Sequence, residues 1–590
     1  MSSIDNKKIV GIIGGGLAGL TCAYRLSKVG IPSILFEGSS RLGGRCFSGK
    51  FPNGQIYEHG GEYIDSYHIE IINLINELGL ELKDLTIENL KNHTFYKVVH
   101  YPDIGDDNNE KNNIYSKNNL IEYPYSELAN DYFNKIIPNV GLSIYQLITK
   151  HAEDTYPINA DTNSTPWPLQ YGDEILAKYL DRISLNEYID NITSFLRKDG
   201  NGAKSKLGQF LKVAYTLQFG VDILEQSPIN LIYLMGFQEA INNPILNIPS
   251  PSEYEAGYVP IELFEDFGIS NEKYNINGGN SLLVDSLVEN LVDVDIKLNY
   301  KLIKVVHLND MDDIDSYGNK PYEITFKTNN GYEKFIFGHI VSAIPFSTLK
   351  SVDLENSDIS DLKNYAIQNL NMSKNAKLNM QFKNRYWNIQ GNDGEIFSTS
   401  NPELTNDIQL NFQNTWDSSR RQDGETGIIC QYTGGEFSNK FKTSFFIKDT
   451  QEYNDYTTNI TNQFLNQYND FCPGAKNNFD FSYDEETGKI NNVNSDNWSD
   501  SPWQKGSYSY WKIGQYIGGD GQIIDGKVIP ENSTVPFAGY EGVSEPYNEE
   551  QTGNFHFAGE HTSYDQQGYL SGAVQSGNRV SIEIITAFSK

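Results

Sequence analysis

The chain has 590 residues, 38% of them hydrophobic, and a formal net charge of −31; it is too long for one compact core, so two to four domains are expected. The acidic balance argues against nucleic acid or an anionic membrane surface as partner, because either would repel it. There is no run of 18 apolar residues to span a membrane, and Cys22, Cys46, Cys430 and Cys472 show neither CxxC spacing nor close pairing, which points away from a zinc site or a disulfide framework.

From Met1 a polar stretch runs straight into an apolar one, with no basic segment and separate apolar segment of a secretory signal, so a soluble, cytoplasmic protein is expected. Residues 8–13 form an apolar run ending on Gly14-Gly15-Gly16-Leu17-Ala18-Gly19, and residues 20–29 carry helical apolar spacing. This pattern reads as strand, glycine turn and helix. Gly14 permits the tight turn, Gly16 lets a pyrophosphate approach the backbone, and Gly19 lets helix and strand pack closely, while the helix N-terminus turns free N–H groups toward the phosphates. A second strand, residues 33–36, delivers Glu37, 23 positions beyond Gly14, where a carboxylate accepts a ribose hydroxyl and repels a 2′-phosphate.

Two further glycine pairs follow, in Arg41-Leu42-Gly43-Gly44-Arg45 and in Tyr57-Glu58-His59-Gly60-Gly61-Glu62-Tyr63. Together with the first turn they resemble the flavin amine oxidase superfamily. The resemblance implies FAD rather than NAD, with Arg45 neutralising phosphate charge and Gly60 and Gly61 bringing backbone against the isoalloxazine.

Farther along, residues 102–120 are a polar low-complexity stretch that reads as a surface loop. Between about 121 and 245 apolar residues recur at helical spacing, as in 208–219 and 228–237, and imply a helical insertion. A turn at 272–280 opens a helix over 282–291, and strand patterns return at 302–308, 322–326, 339–345, 377–382 and 427–432. The chain closes with a strand at 554–560 and a helix over 570–588, and no internal repeat of solenoid length stands out. The expected fold class is α/β: an FAD-binding Rossmann-like (GR2-type) domain from residues 1–90, 268–345 and 500–590. A discontinuous α+β substrate domain is expected from 91–267, mainly a helical insertion, and 346–499.

Near the C-terminus, Gly559-Glu560-His561-Thr562-Ser563 and Gly568-Tyr569-Leu570-Ser571-Gly572-Ala573 again resemble the flavin amine oxidases, in which this segment completes the flavin site. A helix starting at Leu570 would present N–H groups and positive dipole to a flavin made anionic by hydride. The resemblance implies that Glu560 holds the ribityl or diphosphate region. It also implies that the Val305 backbone meets the adenine, that Lys377, ten residues before Trp387, holds a water beside flavin N5, and that Tyr508 and Tyr569 form an aromatic cage around the substrate amine. Ser507 stands where some monoamine oxidases carry the cysteine bonded to flavin, so noncovalent FAD is expected.

The fuller pattern looks like the microbial flavin amine oxidase and L-amino acid oxidase-like branch. It implies oxidative deamination, with O₂ as acceptor and hydrogen peroxide as product. L-amino acids lead as substrates, followed by monoamines and polyamines. A dehydrogenase or desaturase on the same frame, or a nonenzymatic flavoprotein, is the other reading, and the sequence leaves room for a homo-oligomer. An amino acid oxidase should grip the α-carboxylate with an arginine. This chain has nine arginines, and just after the second glycine pair, where secreted L-amino acid oxidases place theirs, it has Glu62-Tyr63. Arg420, near Trp416, is the candidate that remains for substrate binding.

Overall fold

The computed structural model describes residues 9–85, 97–100, 121–123, 179–194, 202–231, 272–308, 321–359, 361–389, 393–399, 412–515, 523–524, 527–528, 554–563 and 566–589. The predicted loop at 102–120 and much of the predicted helical insertion lie outside them.

A five-stranded parallel sheet forms first in chain order and is finished last. Its strands run Phe555–Phe557, His339–Ser342, Val10–Ile13, Ser33–Glu37 and Val294–Leu298, with Val10 opposite both His339 and Ser33. Val10–Ile13 is buried along its whole length, as expected of a central parallel strand with both faces covered. The helices Leu17–Lys28 and Leu570–Ser589 pack on each other and on this sheet, so the two ends of the chain share one core. Gly577 allows that contact, because a Cβ there would lie 2.5 Å from the Ala18 carbonyl oxygen.

Beside the parallel sheet stands a four-stranded sheet, in the order Gly331–Phe337, Tyr322–Thr328, Lys301–His307 and Asp353–Asn356. Its aromatic side chains close over the end of Ser33–Glu37: the Phe36 and Phe326 rings stack with centroids 4.2 Å apart. The fourth strand requires a correction of the expected domain boundary. Residues 346–370, expected in the substrate domain, pack with the cofactor side, since Asp353–Asn356 pairs with Lys301–His307 and Phe346, Leu349, Ala366, Ile367 and Leu370 join the Phe36 core. An apolar face decides such membership, and length and spacing alone do not reveal which core it meets.

The larger sheet has seven strands, ordered Val493–Asn497, Asn375–Phe382, Gly427–Gly434, Asn414–Asp417, Ile396–Thr399, Lys97–His100 and Ile121–Tyr123. Asn375–Phe382, second from one edge, pairs antiparallel on both sides, placing Lys377 opposite Tyr432 and Asp496. One face packs on the helix Thr450–Phe471, whose Phe464 and Tyr468 meet Phe412. Against the other side lies the helix Lys206–Phe219, closely matching the helical spacing of 208–219. No helix among the described residues is long and apolar enough to cross a membrane.

Candidate active site

A cavity of about 880 Å³ runs from the end of the parallel sheet to the face of the seven-stranded sheet. Its cofactor end is built from the first glycine turn. Gly14 takes φ +110°, and a Cβ on Gly19 would lie 2.0 Å from the Gly14 carbonyl oxygen, so turn and helix meet at a distance only glycine allows. Gly16 has open space on its side-chain face and lines the cavity. The Glu37 carboxylate is fixed by the Gly15 N–H at 2.8 Å and the Ser39 N–H at 2.7 Å. An open backbone turn, a helix N-terminus and a held carboxylate at the adjacent strand end fit a dinucleotide with an unphosphorylated ribose.

The second glycine pair lies farther in. A Cβ on Gly60 would fall 1.9 Å from the Arg45 carbonyl oxygen, and one on Gly61 would meet the Leu570 side chain at 2.8 Å. Trp498 donates its indole N–H to the His59 carbonyl at 3.0 Å, holding this segment from behind. Leu570, the first residue of the last helix, also lines the cavity.

Glu560 also lines the cavity. Its carboxylate accepts from Arg45 at 2.9 Å, from the Ser509 N–H at 3.1 Å and hydroxyl at 2.8 Å, and from the Gly568 N–H at 2.9 Å. Burial pushes its pKa up, but Arg45 and these donors outweigh it and hold the carboxyl below the ordinary range. Glu560 therefore ties three segments of the cavity wall together. Val305 requires correction. It is fully buried between neighbouring strands, and Tyr300, Lys301 and Leu302 at the start of its strand line the cavity instead.

The inner end collects Lys377, Trp416, Arg420, Tyr432, Tyr508 and Tyr569 from strands and loops far apart in sequence. Tyr508 donates its hydroxyl to the Leu217 carbonyl at 3.0 Å and the Gln218 carbonyl at 2.5 Å. These acceptors exist because the helix Lys206–Phe219 stops at Gly220 in the left-handed conformation, leaving last-turn carbonyls without helical partners. Gln218 also donates its side-chain amide to the Tyr569 hydroxyl at 3.2 Å, so one residue fixes both tyrosines. Sequence reasoning missed Gln218 and Tyr432, whose hydroxyl lies 3.3 Å from that of Tyr508. Neither belongs to a glycine motif, and helical spacing alone does not show which residue ends facing a cavity.

Lys377 is buried and paired. Its ammonium donates to Glu62 at 2.8 Å and to the Gly60 carbonyl at 2.9 Å. Burial opposes its charge, yet the contacting Glu62 outweighs it and holds its pKa above the usual lysine value. Glu58, at the end of the strand before Gly60, is pushed up to about 8 by burial.

A model of flavin containing amine oxidoreductases matches residues 17–585. The chain belongs to the flavin-containing amine oxidoreductase family. Its cofactor is FAD. Among curated relatives, flavin-containing amine oxidase B of Mus musculus is 33% identical over 78 residues, 13% of this chain and 15% of that enzyme. The chain matches 31%, 16% and 21% of the length of three other curated relatives, so it spans less than a third of each. A putrescine oxidase bound to putrescine aligns over 98% of this chain and 99% of its own, with TM-score 0.61 and 16% identity. Cyclohexylamine oxidase from Brevibacterium oxydans aligns over 99% and 100%, with TM-score 0.60 and 15% identity. At these identities the two structures establish a shared flavin amine oxidase fold.

Ser507 sits in this amine oxidoreductase cavity with its hydroxyl donating to the Asn375 side-chain oxygen at 2.6 Å and 2.7 Å from the Ser373 hydroxyl. A serine oxygen forms no thioether. Acid precipitation of the protein is expected to release all of its flavin to the supernatant, and a pellet that stays yellow would count against noncovalent binding.

Proposed function

We propose that this chain catalyses oxidative deamination of a primary amine, and that its preferred substrates carry a second positive charge. Bound FAD supplies a two-electron acceptor for the hydride on the amine-bearing carbon, with O₂ as final acceptor and hydrogen peroxide as product. The residues do the rest. Tyr508 and Tyr569 hold the amine between fixed rings and exclude water, favouring its uncharged form with the C–H aligned. Lys377 places a cation near the flavin end, where it assists oxygen and orients the water that hydrolyses the imine.

The observation that carries the substrate reading is the surrounding of Arg420. Its guanidinium lies 5.0 Å from the Tyr63 ring centroid, and Glu272 and Glu395 share the same cavity wall. Both carboxyls act on Arg420, and burial raises their pKa values to about 7 and about 8. Asp393, also near Arg420, is raised by burial to about 6. Glu272 and Glu395 face the same space as Arg420, so a second ammonium would be received by carboxyls that ionise as it binds. Glu272 stands there in strain: its φ is 42°, with its N–H held by Asp65 at 2.6 Å. Such strain clusters at functional sites.

L-amino acids are the second reading, favoured by the position of Arg420 in the cavity. Anaerobic titration of the purified holoprotein with diamines, monoamines and L-amino acids separates the two. The expected result is bleaching of the oxidised flavin bands at the lowest concentration by diamines. Bleaching by L-amino acids alone would restore Arg420 as a carboxylate clamp, and no bleaching by any panel would remove the amine oxidase reading.

A further inference from the structure

Trp416, Glu62 and Lys377 form a continuous polar chain across the inner cavity. The Trp416 indole N–H donates to Glu62 Oε1 at 3.1 Å, and Lys377 Nζ donates to Glu62 Oε2 at 2.8 Å. The Lys377 and Glu62 side chains are only 8% and 6% exposed, and the ammonium also lies 5.5 Å from the Trp416 ring centroid. Each carboxylate oxygen is thus committed to a different partner, Oε1 to the Trp416 indole and Oε2 to the Lys377 ammonium. We propose that Glu62 is the positioning residue for Lys377, fixing both the place of its ammonium and its charge state, and that Trp416 holds Glu62 in the orientation this requires.

The alternative is a generic surface ion pair, and the burial excludes it. Charges removed from water interact strongly and leave a costly orphan when one partner is deleted. The other groups facing Lys377 do not replace Glu62. Glu58 sits on the same segment but is raised by burial to about 8 and accepts from Ser48 and Asn280. Asp496, across the neighbouring strand, is taken by His59 at 2.9 Å. Cys430 and Tyr432, on the other neighbour, are held neutral by burial, which raises both. Glu272 acts on Lys377 from the far wall, where it also faces Arg420. Glu62 is therefore the carboxylate in contact, held below the usual range because Lys377 and its hydrogen bonds outweigh burial.

The sign of the linkage gives the test. A lysine raised by its partner keeps its charge to higher pH, and without the partner burial drives its pKa down. The inference rests on the amine oxidase reading only for the meaning of the rate, so the experiment reduces the holoprotein with dithionite rather than with an amine. Reoxidation by O₂ is then followed against pH for wild type, Glu62→Gln, Glu62→Asp and Trp416→Phe. Expected for Glu62→Gln is a loss of rate beginning at least about one pH unit lower than in wild type, partly restored in Glu62→Asp. A second readout needs no turnover. Urea midpoints of the holoproteins at fixed FAD concentration, for Glu62→Gln, Lys377→Met and the double variant, are expected to be non-additive, the double losing less than the sum. Failure of the Glu62→Gln protein to fold while the double variant folds shows the same coupling. If both fail, Trp416→Phe, which removes the 3.1 Å bond while keeping an aromatic ring, must still move the pH profile in the same direction. Additive midpoints, or pH profiles that overlay the wild type, would overturn the proposal.

Discussion

Replacing Lys377 with Met is expected to slow reoxidation of the reduced protein by O₂ by about 10²-fold, the scale on which a fixed charge beside a reacting group acts. Reduction by substrate and the amount of bound FAD are expected to change far less. The physical reason is the position of the ammonium: it is buried, hydrogen-bonded to the Gly60 carbonyl and to Glu62, and held charged across the neutral range. Stopped-flow reoxidation at several O₂ concentrations measures this, with the flavin to protein absorbance ratio as the control. Oxygen kinetics unchanged from wild type would remove the role given to Lys377.

Glu560→Gln is expected to have the larger effect on stability, about 3 kcal/mol, together with weaker retention of FAD. The substitution removes the charge that faces Arg45 at 2.9 Å and leaves an amide where the carboxylate now receives four donors. An amide oxygen can keep some of those bonds, and its NH₂ turns donor against donor for the rest. Because the Glu560 pKa is depressed on folding, its stabilisation is fully present above the unfolded carboxylate value, about 4.3, and is lost as pH falls through the lower folded value. The wild type is therefore expected to lose its advantage over Glu560→Gln on acidification. Chemical unfolding of both proteins at pH 7 and in acid checks this; a difference that stays constant with pH would show that Glu560 acts through shape alone.

Much of the cofactor end was legible in the sequence because it is local. Gly14, Gly16, Gly19 and Glu37 lie in one strand, turn, helix and strand unit, and their roles follow from backbone space and one carboxylate at a strand end. Gly60 and Gly61 were readable as a pair, though only the fold shows that they are pressed between Arg45 and Leu570. Val305 was misread because a β-strand presents the same residue types whether it borders a cavity or crosses a core. The error was only a few residues along the strand, yet that separates Leu302 in the cavity wall from a residue enclosed in the sheet.

Segments hundreds of residues apart meet at the substrate end, and there the sequence had less to say. Lys377 and Glu62 are 315 positions apart, and Trp416 reaches the same carboxylate from another strand. Gln218 bears on both Tyr508 and Tyr569 because a helix happens to end beneath them. Arg420 lies near Trp416 in sequence, but only the fold brings Glu272 and Glu395 to it. By itself, then, the sequence determined the α/β frame, the family and its FAD cofactor, since these depend on short spacings and on residue chemistry. Only the tertiary structure decided which charges face one another, because a lone carboxyl or ammonium takes its pKa and its role from neighbours that the chain brings together by burying them.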